Sequence, residues 1–334
     1  MRKTGIILDS VTFAGILFCI CAICSCKRTN YTLLDQSSAG VWTTYDTADG
    51  LPGNKVSDIK LDKEGNLWMA FPGFGTAEYS NGSWISYKTS NSSILSNAVT
   101  CLGQETDGSI VIGTSDGLSI LSASNAWSSY IDASVTSMTV TAIKIASDGS
   151  VWVGTRDQGF YVNKGSGYVR TYSTTYKTIN AIEEDASGNI WMGSDNGLIK
   201  WDGSSYSYLT TADGLPADTI TALHEDGKLR LWIGTNGGKD AAWIDKTGLH
   251  HLSLLDGQDS VTITSIFDDR SGNIWFATSS IGLIKYNGII PYSYTASENT
   301  IPENSVLSIG EDKDGNLWFG LFSKGAVKYT LPIN

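Results

Sequence analysis

Gly188-Asn189-Ile190-Trp191-Met192-Gly193 is a turn glycine followed by a short apolar run around one Trp, and it decides the fold because the chain keeps repeating it. Copies stand at Gly65-Asn66-Leu67-Trp68-Met69-Ala70, Gly149-Ser150-Val151-Trp152-Val153-Gly154, Leu231-Trp232-Ile233-Gly234, Gly272-Asn273-Ile274-Trp275-Phe276-Ala277 and Gly315-Asn316-Leu317-Trp318-Phe319-Gly320. In Gly108-Ser109-Ile110-Val111-Ile112-Gly113 the Trp place is taken by Val111. The anchors at 68, 111, 152, 191, 232, 275 and 318 are 43, 41, 39, 41, 43 and 43 residues apart. A period near forty marks a stack of one supersecondary unit.

Each unit reads as four short strands. Thr178 to Asp185 alternates apolar and polar residues, the period of a half-buried strand. Asp185-Ala186-Ser187-Gly188-Asn189 supplies turn chemistry, and Ile190 to Gly193 is too short for a helix and suits a strand covered on both faces. Asp195-Asn196-Gly197 and Asp202-Gly203-Ser204 then separate two further strands. Four-stranded antiparallel sheets repeated radially make a β-propeller, which leaves only short protected edges. The last unit has only three strands before Asn334, whereas Val41-Trp42-Thr43-Thr44-Tyr45-Asp46 is an orphan strand with its aromatics three apart, like Trp84 with Tyr87 and Trp127 with Tyr130. The expectation is an all-β, seven-bladed propeller whose N-terminal strand pairs with Ala326–Tyr329 and closes the ring. The repeated Trp is read as packing between sheets, and Asp62, Asp185, Asp269 and Asp312, six residues before a Trp, as turn residues.

Composition narrows the function. The 334 residues carry 10% aromatic and 17% charged residues, 36 Gly and 6 Pro, a turn-rich globular composition. The formal charge is −11, so nucleic acid, which demands a basic footprint, is disfavoured. Residues 1–25 are set apart: Arg2 and Lys3 precede a largely apolar stretch from Val11 to Cys24, too short for the roughly 20 residues of a bilayer span. Ile23-Cys24-Ser25-Cys26 resembles the cleavage site of a bacterial lipoprotein signal peptide. That resemblance implies cleavage before Cys26 and its acylation, with residues 26–40 as a tether and 41–334 as the propeller. Of the five cysteines only Cys101 lies in the propeller, so neither a disulfide framework nor a zinc site is expected; Cys101 reads as a buried hydrophobe.

The composite phrase Gly-Leu-Pro, strand, Asp-x-x-Gly-Asn-Leu-Trp-x-Gly, Gly-Leu-aromatic resembles the two-component regulator propeller repeat. Its best copies run from Asp49 to Trp68 and from Asp213 to Trp232, with good matches from Asp185 to Leu198 and from Asp312 to Lys328. The resemblance implies an extracytoplasmic, sensor-like module of a Bacteroides-like bacterium that responds to oligosaccharides. With no kinase region or spanning helix in the sequence, it implies capture at a membrane surface, periplasmic or external, or docking to a signalling partner.

In a propeller the loops from second to third strand and from fourth to first strand share one face. On it fall Phe71 and Phe74, Arg156 and Asp157, Asn196, Lys239 and Asp240, and Phe322 and Lys324, a mixture of aromatics, charges and amides suited to stacking on sugar and hydrogen bonding it. The expectation is a non-enzymatic, monomeric binding propeller without cofactor or metal, recognising a glycan or a membrane protein partner there. Streptogramin lyases, also seven-bladed, supply the alternative, an enzyme. Its catalytic His would have to be His224, on a first strand, or His250 or His251, around an outer strand. A pure protein–protein scaffold is the third reading.

Overall fold

The computed structural model describes residues 40–171, 175–254, 260–298 and 300–330; the leader, Cys26 and the tether up to residue 39 lie outside them. Seven sheets, each of four antiparallel strands, follow one another round a ring. Blades 1 to 6 take consecutive strands from the sequence, with inner strands beginning at Asp58, Val99, Val140, Ile179, Ile220 and Ile263. Blade 7 takes Val306–Glu311, Leu317–Leu321 and Ala326–Thr330, and its outer strand is Val41–Tyr45. Trp42 stands opposite Tyr329 and Tyr45 opposite Ala326, so the orphan strand does close the ring.

The second strands, Trp-bearing in six of the seven blades, are buried at every residue, because a sheet covers each of their faces. Outer-strand aromatics three residues apart point to opposite faces, since side chains alternate along a strand. Trp42 therefore packs into the seam with blade 6, 5.4 Å from Tyr294, while Tyr45 turns to blade 1 and lies 4.9 Å from Trp318. In blade 1, Trp84 likewise faces Trp318 of blade 7 and Tyr87 stacks on Trp68 at 5.5 Å.

The turn Asp has a second role that spacing alone does not reveal. Its Oδ1 accepts from backbone amides of the turn, and its Oδ2 accepts the indole N–H six residues on. The indole bonds are 2.9 Å at Asp62–Trp68, 2.8 Å at Asp185–Trp191, 2.7 Å at Asp226–Trp232, 2.9 Å at Asp269–Trp275 and 2.9 Å at Asp312–Trp318. Burial pushes the Asp185, Asp226 and Asp312 carboxyls up, but the indole and neighbouring donors outweigh it and hold them below the usual carboxylate range. In blade 3 Ala146 stands in the Asp place, and Trp152 donates to Ser150 Oγ instead, at 3.0 Å.

Around the axis, one inner-strand side chain per blade reaches a buried carbonyl of the next blade. Ser57 reaches Val99 O, Thr100 reaches Val140 O, Thr141 reaches Ile179 O and Asn180 reaches Ile220 O. Thr221 reaches Ile263 O, Thr264 reaches Val306 O and Ser308 reaches Val56 O. Those in blades 2 to 6 sit at a bulge, where the extra residue turns its side chain sideways along the ring. In blade 7 the bulge residue is Leu307, which cannot donate, and the following Ser308 completes the circle.

Inside this circle a channel of about 210 Å³ is lined by Ser57, Asp58, Cys101, Ser265 and Ser308 among others. Burial pushes the Cys101 thiol up, in keeping with an inert structural cysteine. Burial also raises the Asp58 carboxyl from 3.8 to about 6, against the pull of the Leu102 and Ile59 amides that it accepts. An acid whose folded value is raised costs stability as pH rises from its unfolded value to its folded one, and the full cost stands above the latter. Asp58→Asn is expected to melt like the wild type near pH 3.5 and to be more stable by about 1–2 kcal/mol above pH 6.5, the residual exposure of the carboxylate to the channel being allowed for. Thermal melts across that pH range check this; a constant difference at every pH would count against it.

Candidate functional site

In four of the fourth-to-first-strand connections an Asn or Asp organises the loop face. Asn54 and Asn97 lead into blades 1 and 2, Asp218 into blade 5 and Asn304 into blade 7. Each accepts a loop amide through its side chain: Thr47 N at 3.1 Å, Thr89 N at 2.9 Å, Thr211 N at 2.7 Å and Ala296 N at 2.7 Å. The backbone carbonyl of the same residue accepts the N–H of a glycine in the preceding blade, respectively Gly325, Gly75, Gly197 and Gly282. These glycines take positive φ, and a Cβ at Gly75 would meet Tyr87 O at 2.1 Å, so no other residue fits. The two loop types are thereby tied into one rigid surface. In the two Gly-Leu-Pro loops, Asp46 with Asp49 and Thr210 with Asp213 form capping boxes, and Leu51 and Leu215 are buried as anchors.

The structure places Phe74 and Phe322 on this face at 48% and 50% exposure, on the second-to-third-strand loops of blades 1 and 7. Between them lies the loop that leads out of the ring-closing strand. Gly53 of that loop abuts the Phe74 ring, where a Cβ would stand 2.7 Å from Cδ2. Lys55 Nζ lies 4.9 Å from the Phe322 centroid, a cation–π contact that spreads positive charge over an exposed ring. Glu303 Oε1 accepts the Ser323 and Lys324 amides and its Oε2 the Ser323 hydroxyl, which fixes the Phe322 loop and leaves the Lys324 side chain exposed. Phe74, Lys55, Phe322 and Lys324 thus gather at the junction of blades 7 and 1. Lys55 escaped the sequence reading, because its partner ring is remote in the chain and only ring closure brings the two together.

The other expected residues divide. Phe71 does not serve: it is fully buried at the end of its strand in the cluster of Leu51, Val56 and Ala77, because strand alternation points it between blades. Asp240 is the first residue of a strand and faces outward, its Oδ2 3.9 Å from His251 Nδ1. Arg156 and Asp157 are exposed on blade 3, with Asp157 in left-handed backbone at φ 64. Asn196 is exposed on blade 4 and donates to Thr175 O, while Lys239 is exposed on blade 5. The exposed ones, Arg156, Asp157, Asn196 and Lys239, are carried by three blades, so they share a face and not a pocket.

His224 lies at the opposite end of its strand from this face. Its Nε2 is 2.7 Å from Asp268 Oδ1 of the next blade, and Asp268 also accepts the Gly227 amide at 3.0 Å. Burial pushes the Asp268 carboxyl up, but the His224 and Gly227 donors prevail and hold it below the usual range. His250 is on the outer strand of blade 5, stacked on Trp243 at 4.9 Å. Among the described residues, no three His, Cys, Asp or Glu side chains come together as a metal-holding group.

The sequence profile of the two component regulator propeller matches residues 50–73, 175–196, 257–280 and 300–323. These are two-component regulator propeller repeats. Each matched stretch takes in an inner strand and the second strand that pairs with it.

Solved structures share the fold. The extracellular domain of a protein named as a hybrid two component system, BT3049 from B. thetaiotaomicron, is 21% identical with a TM-score of 0.76, over 87% of this chain and 41% of that one. The chain therefore spans about two-fifths of that extracellular domain's length. A streptogramin B lyase is 15% identical with a TM-score of 0.72, over 88% of this chain and 98% of that one. PorZ, a surface component of the type-IX secretion system of Porphyromonas gingivalis, is 15% identical with a TM-score of 0.66, over 86% and 48% of the two chains. At these identities the likeness is one of fold. No curated protein sequence matches the chain.

Proposed function

We propose that the chain is a non-enzymatic, extracytoplasmic binding propeller, anchored to a bacterial membrane through acylated Cys26, that recognises an oligosaccharide on its loop face. The observation that carries the reading is the pair of half-exposed phenyl rings, Phe74 and Phe322, held by a tied loop surface with Lys55 between them. Exposed rings on rigid loops stack on sugar rings at little cost in conformational entropy, and neighbouring amides and charges set the orientation. The regulator-propeller repeats and the fold shared with sensor ectodomains support the same direction. The lyase reading is the weaker one. All three histidines sit away from the loop face or on the outer wall, and His224 is engaged by Asp268.

Titration calorimetry with a panel of neutral and acidic oligosaccharides tests the ligand. Binding that falls at least tenfold in Phe74→Ala and in Phe322→Ala, with unchanged melting, is the expected result. No heat from any sugar, together with capture of one membrane protein that the same substitutions abolish, would replace the glycan by a protein partner. For the anchor, the intact mass of protein extracted from membranes should show a chain beginning at Cys26 and carrying acyl groups; a chain retaining residues 1–25 would refute it.

A further inference from the structure

The seam between blades 3 and 4 is built differently from the others. In blade 1 Glu78 stands opposite Trp68, which Tyr87 covers instead. In blades 4 to 7 the third strand sets Lys200 facing Trp191, Trp243 facing Trp232, Lys285 facing Trp275 and Lys328 facing Trp318. These side chains cover the indoles. The ammonium groups lie 5.0, 5.7 and 5.4 Å from the centroids of Trp191, Trp275 and Trp318, and the Trp243 ring lies 5.0 Å from Trp232. Opposite Trp152 stands Val162, too short to do so. The outer-strand place held by Tyr45, Tyr87, Tyr130 and Tyr294, or by Leu209 and Leu252, holds Thr171.

Phe160 takes up the inner part of the resulting space, stacked on Trp152 at 5.8 Å and 23°. The outer part stays open as a groove of about 270 Å³, lined by Trp152, Val162, Val169, Thr171, Trp201 and Tyr206, with Lys164 exposed at its rim. Trp201 and Tyr206 stand 4.5 Å apart at 38°. The Trp152 N–H is engaged by Ser150, so that indole offers its π surface rather than a donor. The groove opens by the turn between third and fourth strands, on the side of the ring away from the loop face.

We propose that this groove binds a small zwitterion carrying a quaternary ammonium and a carboxylate. The ammonium sits against Trp152, Trp201 and Tyr206, where in blades 4, 6 and 7 the protein places its own Lys ammonium on the equivalent Trp. Three aromatic walls attract a cation through their quadrupoles and cost it little hydration when the cation is already alkylated. The acidic chain, at −11, favours the approach of a cation, whereas Lys164, the one charged side chain of the lining, within electrostatic reach of Asp148, lets its mobile ammonium turn to an anionic group a short distance from the bound cation. The groove is smaller than a drug-sized site, which fits a ligand of this size.

Calorimetric titration of the full-length chain with glycine betaine, with choline and with 3,3-dimethylbutan-1-ol, the uncharged carbon counterpart of choline, tests this. Betaine is expected to bind several-fold more tightly than choline, and the alcohol at least tenfold more weakly than choline. Lys164→Gln should bring betaine down to the level of choline. Val162→Lys recreates the Lys–Trp pair of three other blades and should abolish binding of both; Tyr206→Ser, at a half-exposed site, should weaken both at least fivefold should the Lys variant fail to fold. An alcohol that binds as well as choline, variants that bind like the wild type, or no heat with any of the three overturns the proposal, and none of these outcomes bears on the loop face.

Discussion

Replacing Trp275 by Ala is expected to remove about 3–5 kcal/mol of stability, the usual consequence of emptying a large aromatic site that cannot collapse. Trp275 is wholly buried and holds two blades together: its ring lies 5.3 Å from Tyr294 in its own blade, and 5.4 Å from Phe319 and 5.8 Å from Tyr329 in the next. Truncation also strips Asp269 Oδ2 of the indole N–H and leaves Lys285 without the ring beneath it. The melting temperature should fall on the order of 10 °C. Trp275→Phe, which keeps most of the packing and loses the hydrogen bond, should cost roughly half as much. Thermal denaturation followed by circular dichroism decides the matter. An Ala variant that melts within a degree or two of the wild type would remove the Trp from its place as the blade-to-blade rivet.

Much of this architecture was legible in the residues because the repeat carries local and global information in the same few letters. The Trp anchors, the turn glycines and the alternation in Ile179–Glu184 each report a strand or a turn within about ten residues, and the missing fourth strand after Ala326–Thr330 left only Val41–Tyr45 to complete blade 7. What stayed hidden depends on contacts between units. The Asp six residues before Trp was read as turn chemistry, and its bond to the indole appears only once strand pairing brings both side chains to one edge. The circle of side chains from Ser57 to Ser308 links positions 42 residues apart at Ser57 and 252 apart where Ser308 closes it, and no local pattern distinguishes them from ordinary strand residues. On the loop between second and third strands of blade 1, the letters make Phe71 and Phe74 look equivalent. Their three-residue separation puts one inside and one outside, and the turn between the two makes that parity unreadable from the letters. The open seam at Trp152 was hidden for the opposite reason. Ala146, Val162 and Thr171 are unremarkable singly, and matter only together beside a Trp, as departures from what the other Trp-bearing blades place there.

Shortening the chain so that it begins at Asp46 should have the larger effect of the two. It removes the outer strand of blade 7 with Trp42 and Tyr45, each of which packs against a neighbouring blade as well as its own. Trp42 lies 4.4 Å from Tyr329 and 5.7 Å from Phe319, side chains of 1% and 0% exposure that would then face water. Two partly buried aromatics at roughly 2–3 kcal/mol each, with the lost ladder and the Tyr329 and Phe319 faces opened to water, reach the order of the whole stability of a domain, about 5–15 kcal/mol. The shortened chain is therefore expected to bind a hydrophobic dye, to lose its near-ultraviolet dichroism and to melt without a cooperative transition. A synthetic peptide of residues 40–46 should restore part of that transition at millimolar concentration, because the sheet edge of Ala326–Thr330 is a template of unpaired backbone groups that a matching strand can add to. Had the ring been held closed by contacts among inner strands alone, where Ser308 reaches Val56 O, the shortened chain would melt cooperatively and only a few degrees lower. The two outcomes separate a fold clasped at its outer edge from one clasped at its axis. The two aromatic seams that this one strand supplies, against two hydrogen bonds at the axis, Ser308 Oγ to Val56 O at 3.3 Å and Val56 N to Leu321 O at 2.9 Å, place the clasp at the edge.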